Sequence, residues 1–136
     1  MSSYPVVLYV EDDPRSCKVM RLLLIQQMGL SEVTIFEDSH NFMARVAALQ
    51  PPPDVIFLDI HVKPHSGFEM LEMLRQLPQF DHTPMVALTA SVMNEEVEQL
   101  QIAGFHGCLS KPLDTDTFPH LLERILSGEV IWNITG

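Results

Sequence analysis

The sequence predicts an α/β domain in three layers, a mostly parallel sheet with helices on both faces. Three observations carry this. Val6-Val7-Leu8-Tyr9-Val10 and Val55-Ile56-Phe57-Leu58 are continuous apolar runs with no alternation, the pattern of strands covered on both faces. Strand-like and helix-period segments alternate five times along the chain, which calls for parallel strands joined by right-handed helical crossovers. Both apolar runs end directly in acids, Glu11-Asp12-Asp13 and Asp59, and reactive groups in open α/β sheets collect at the carboxyl ends of strands.

The elements follow in order. After the first strand, Asp13 is a good N-cap and Pro14 a good first helical residue; a helix to about Met28 carries Cys17, Met20, Leu23, Leu24 and Met28 inward and stops at Gly29. Val33–Phe36 is a short second strand. Ser39 or Asn41 opens the next helix, with Phe42, Val46 and Leu49 as its inner stripe, and Pro51-Pro52-Pro53 ends it. The strand ending at Asp59 is the centre of the sheet. His61 to Ser66 is a loop, and Met70, Met73, Leu74 and Leu77 mark a helix from about Gly67. Pro84–Leu88 is a fourth strand ending at Thr89-Ala90-Ser91, followed by a helix over about 94–103. A weak fifth strand lies within 105–110, before Lys111-Pro112. A last helix over about 115–126 has Pro119 in its first turn, where a missing N–H is tolerated. The expectation is one domain over residues 1–136, with a core at about 5–127 and a tail from Gly128 packed on the body.

Composition narrows the function. An apolar content of 46% with 19% charged residues is globular. A formal charge of −10, with Lys and Arg scattered singly, argues against a nucleic-acid surface. No apolar run approaches the roughly 18 residues of a membrane span and no signal-peptide pattern opens the chain, so the expected location is cytoplasmic. Cys17 and Cys108 lack metal-like spacing and read as small buried hydrophobes.

Four strand ends present polar groups: Glu11 and Asp12, then Asp59, Thr89 and Lys111. Each alone is commonplace, since a strand-end acid often caps a helix and a lone Lys or Thr is usually solvated. Together at one edge they form a receptor for a phosphoryl group. Crowded acids favour a bound cation. Mg²⁺ accepts one or two carboxylates while keeping water and phosphate oxygens, and Mn²⁺ is the alternative ion. Lys111 supplies charge, Thr89 a hydroxyl, and Asp59 is the candidate nucleophile. An aspartate-nucleophile phosphohydrolase would need a second Asp two residues on, where His61 stands. An FMN phosphate would be repelled by Glu11-Asp12-Asp13.

The chain from about Val6 to Leu126 resembles the receiver domains of response regulators in two-component signalling. The resemblance rests on Val10-Glu11-Asp12-Asp13, Pro53 to Asp59, Gly67, Ala87-Leu88-Thr89-Ala90 and Lys111-Pro112. It implies a flavodoxin-like (βα)5 fold with strand order 2-1-3-4-5. It implies Asp59 as phosphoacceptor, with Thr89 and Lys111 on the phosphoryl oxygens. It also implies Mg²⁺ on Asp12, Asp59 and the backbone carbonyl of His61, with Glu11 acting through a metal-bound water. Small Ala90 would admit the phosphate, and the Lys111–Pro112 bond would be cis. The chain is then a signalling module, not an enzyme on an external substrate. A histidine kinase or phosphotransfer protein is its donor. A protein target docks on the face of the fourth helix, fifth strand and fifth helix, where Val97, Gln101, Phe105 and Cys108 are the residues to test. The expectation is that no output domain follows the last helix and that the chain is a monomer or weak homodimer.

The sequence departs from the family in three respects, the third covering two residues. Cys108 stands where an aromatic residue usually precedes the lysine by three. The proline after the phosphoacceptor, Pro64, sits one place later than usual. His61 and Ser91 occupy positions that tune phosphoryl lifetime.

Overall fold

The computed structural model describes residues 5–90 and 93–133. Six parallel strands form one sheet: β1 (Val7–Val10), β2 (Val33–Phe36), β3 (Val55–Asp59), β4 (Met85–Thr89), β5 (Gly107–Ser110) and β6 (Ile131–Asn133). Their order is 2-1-3-4-5-6. The first five stand as expected, and the tail adds a sixth strand beside β5. The helices are α1 (Pro14–Arg21), α2 (Phe42–Ala47), α3 (Gly67–Arg75), α4 (Asn94–Ala103) and α5 (Phe118–Leu126). Alternate residues of each central strand feed two cores. Ile56 and Leu58 meet Met70, Leu74 and Leu100 on one face, while Val55 and Phe57 meet Met20, Leu24, Phe118 and Leu122 on the other. This two-sided covering is why those strands read as unbroken apolar runs.

Local chemistry sets the helix ends. Asp13 caps α1 by accepting from the Ser16 backbone N–H. The helix then continues through Leu22–Gln27 with a wider π-type register, and Gly29, at φ 71°, ends it. Ser66 opens α3 through a capping box with Glu69. Gly67 is needed there because a Cβ would meet the Ile60 Cα at 2.8 Å, so the first turn of α3 sits directly behind the end of β3. Of the two expected openers of α2, Asn41 holds the N-cap position, at φ 51° and without a side-chain bond. Ser39 is instead buried and tied to the loop after β3, its Oγ donating to the His65 carbonyl at 2.8 Å and accepting from the His65 N–H at 2.6 Å.

The tail strand β6 packs closely. Gly107 faces Ile131 across the strand pair, where a Cβ would come within 2.5 Å of the Ile131 carbonyl oxygen. Cys108 pairs in register with Trp132, and Trp132 packs on the core face that includes Leu100 and Phe105. Ser91 and Ile134 lie outside the described residues.

Candidate functional site

Parallel pairing brings the carboxyl ends of β1, β3, β4 and β5 to one edge. Asp59 is the last residue of β3 and pairs with Leu88; Thr89 follows at the end of β4 and pairs with Ser110. Glu11 directly follows β1, its N–H donating to the Phe36 carbonyl of β2 at 2.9 Å. Lys111 directly follows β5, its N–H donating to the Thr89 carbonyl at 2.8 Å.

Glu11, Asp12 and Asp59 present carboxylate oxygens that all lie within 4.8 Å of one another. Glu11 and Asp59 are buried and Asp12 is exposed at the rim. The Lys111 ammonium reaches between them, donating to Glu11 Oε1 at 2.7 Å and Asp59 Oδ1 at 3.3 Å. Asp13 stands apart from the cluster. It caps α1, and its N–H donates to Glu11 Oε2 at 3.2 Å. Thr89 is fully buried at the adjoining strand end, and His61 lies exposed in the turn two residues past Asp59. The Lys111–Pro112 bond is cis.

The electrostatics separate the two buried acids. Burial raises Asp59 to about 6; the neighbouring Glu11 carboxylate adds to the rise, and Lys111 offsets it only in part. Burial acts on Glu11 in the same sense, but hydrogen bonds from Lys111 and Tyr9 outweigh it and hold Glu11 below the usual carboxylate range. Lys111 is pushed up despite burial, through its hydrogen bond to Glu11 and the charge of Asp59. Three acids against one ammonium leave negative charge uncompensated. The donor set is all hard oxygen, the set a Mg²⁺ or Mn²⁺ ion takes.

Residues 7–123 match the response regulator receiver domain family. The chain belongs to that family. The receiver is 32% identical over 125 residues to the signal transduction histidine-protein kinase BarA of Escherichia coli K12, covering 92% of this chain but only 13% of that relative. It is 29% identical to the polar-differentiation response regulator DivK of Brucella anthropi, covering 89% of this chain and 93% of that protein. The solved chemotaxis response regulator CheY4 of Vibrio cholerae superposes with a TM-score of 0.79 at 27% identity, over 90% of this chain and 99% of that one. Among the described residues, no helix of the receiver is long and apolar enough to cross a membrane.

The named strand-end residues therefore converge. Of the four residues named for testing on the flank, Phe105 and Cys108 are buried, Val97 is half-buried and Gln101 is exposed. Both cysteines are free and buried, with Cys17 pushed up to about 11 by burial and by Glu11. Two residues escaped the sequence reading. Tyr9 contacts the acid cluster, and Ser39 anchors the loop after Asp59. Strand alternation could have flagged Tyr9, since residues two apart share a face. Nothing local marks Ser39, whose partners lie 26 residues away.

Proposed function

We propose that this receiver takes a phosphoryl group onto Asp59 from a histidine kinase or phosphotransfer protein, in a reaction that needs Mg²⁺ or Mn²⁺. The supporting observation is the buried Asp59 carboxylate within 3.3 Å of the Lys111 ammonium, beside the Glu11–Asp12 pair. Asp59 attacks the phosphorus of a phosphohistidine; a P–O bond forms, the P–N bond breaks, and the departing imidazole takes up a proton. Lys111 is already poised to follow an oxygen added to Asp59, and the Thr89 hydroxyl serves a second phosphoryl oxygen. Asp12, Asp59 and the His61 carbonyl would hold the ion, with Glu11 reaching it through water; when bound, it would supply charge neutralisation for the transferring group.

A cleft of about 330 Å³ borders Lys111, lined also by Ala90 and Pro112 and by Arg15 and Ser16 of α1. Residues 1–136 act as one module, whose signal leaves by protein contact at the flank built from α4, β5 and α5. β6 now forms the outer edge of that flank.

The test is direct. Incubated with Mg²⁺ and acetyl phosphate, the protein should gain the mass of one phosphoryl group, stable in acid and labile in base. Asp59→Asn and chelation should each abolish the gain. A label that persists in Asp59→Asn would falsify the assignment.

A further inference from the structure

Tyr9 is buried to the level of the core, with 1% of its surface exposed, and shares a packed cluster with Phe57, Leu109 and Phe118. It stands two residues before Glu11 on one strand, so both side chains leave the same face of the sheet. Its hydroxyl donates to Glu11 Oε1 at 2.7 Å. The same oxygen receives Lys111 Nζ at 2.7 Å, and Oε2 receives the Asp13 N–H at 3.2 Å. Three donors therefore hold one carboxylate, and two of them sit on a single oxygen.

A buried phenol needs an acceptor, and a backbone carbonyl would satisfy it. Here it is spent on an acid already paired with a lysine. The ring that carries this donor is fixed in the core, so the hydroxyl restrains rotation of the Glu11 carboxylate.

We propose that Tyr9 is a positioning residue of the metal site, acting through Glu11. Its hydroxyl sets the orientation of a carboxylate that serves the ion. This rests on the Mg²⁺ reading above. Donors that orient metal-serving carboxylates cost about 10-fold or more in metal affinity when removed.

Mg²⁺ is titrated calorimetrically into the wild-type protein, Tyr9→Phe, Glu11→Ala and the double variant, with melting curves for each. Tyr9→Phe keeps the ring, so the fold is retained. Its Mg²⁺ Kd should rise about 10-fold. Because Tyr9 acts through Glu11, the double variant should bind no more weakly than Glu11→Ala alone. Unchanged affinity in Tyr9→Phe, even with a lower melting temperature, overturns the proposal alone, as does full additivity in the double variant. A wild-type protein that binds no Mg²⁺ overturns the metal reading and this proposal together.

Discussion

The acid edge and the flank built on α4 differ in how their polar groups are held. At the edge, Glu11 receives three donors and Lys111 bonds two acids. At the flank, α4 starts without a side-chain cap and buries only Leu100. Met93 and Ile102 are 65% and 85% exposed, and Glu96 Oε2 is buried with no hydrogen-bond partner among the described residues. At its far end, Arg75 of α3 donates to the Ala103 carbonyl. Local opening is cheapest where apolar contacts are few and polar groups are unpaired. The contrast assigns chemistry to a stiff frame of charge and leaves rearrangement to the thinly held flank.

The largest effect should come from cutting the frame. Lys111→Met leaves Glu11 and Asp59 facing each other with their shared ammonium gone. Removing one partner of a buried pair costs on the order of 3 kcal/mol. Denaturant unfolding without metal should show that loss, and saturating Mg²⁺ should restore much of it, because the ion replaces the missing charge. Phosphorylation of Asp59 should still fail. If the unfolding midpoint does not move, the frame is not what holds this edge together.

A smaller effect follows from Asp59 itself. Its carboxyl is raised from 3.8 to about 6, chiefly by burial. Between those values the native state keeps a proton that the unfolded chain has lost, so metal-free stability falls as pH rises through that window. The slope is at most about 1.4 kcal/mol per pH unit, or on the order of 2 kcal/mol across the window. Glu11 is shifted the other way, and its contribution is lost only as pH falls below the usual carboxylate range. Bound Mg²⁺ needs Asp59 ionised, so the stabilisation it gives should grow up to about pH 6 and then level off. Unfolding curves at about pH 5 and 7, with and without Mg²⁺, measure both signs at once; metal-free stability that rises over that interval would contradict the raised Asp59.

The contrast also marks what could be read from the sequence. The acid edge was legible because each of its residues sits beside a local signal: an apolar run, then an acid, a threonine or a lysine. The same holds for the five-strand order, which follows from the receiver resemblance. The flank was not legible in the same way. Cys108 read as a small buried hydrophobe and as a departure from the family, and nothing near it in sequence reveals that Trp132 lies beside it in the next strand. β6 is three residues long, too short for a period, and its pairing with β5 is set by a contact between segments 24 residues apart, Gly107 against Ile131. Of the two candidates for opening α2, Asn41 holds the N-cap position; Ser39 has the right chemistry for a cap, but its hydroxyl is drawn to His65 by tertiary structure.

Gly107→Ala gives the smallest effect and the sharpest separation of the two regions. The added Cβ would lie 2.5 Å from the Ile131 carbonyl oxygen, at a backbone φ of 154° that side chains rarely adopt. β5 is also held by β4, through pairs from Ala87–Cys108 to Thr89–Ser110, so the strand that gives way is β6. The cost should be about 1 kcal/mol, the scale of a short edge strand with one half-buried anchor. Trp132 is the single tryptophan of the chain, so its emission should shift to the red as the indole leaves the α4 side of the sheet. Mg²⁺ affinity and phosphorylation of Asp59 should stay as in the wild-type protein, because, among the described residues, no donor to Glu11, Asp59 or Lys111 comes from β6. A red shift together with weaker Mg²⁺ binding would mean that β6 and the acid edge are coupled through β5, since Lys111 is fixed to the end of that strand; the stiff frame would then extend across the whole sheet.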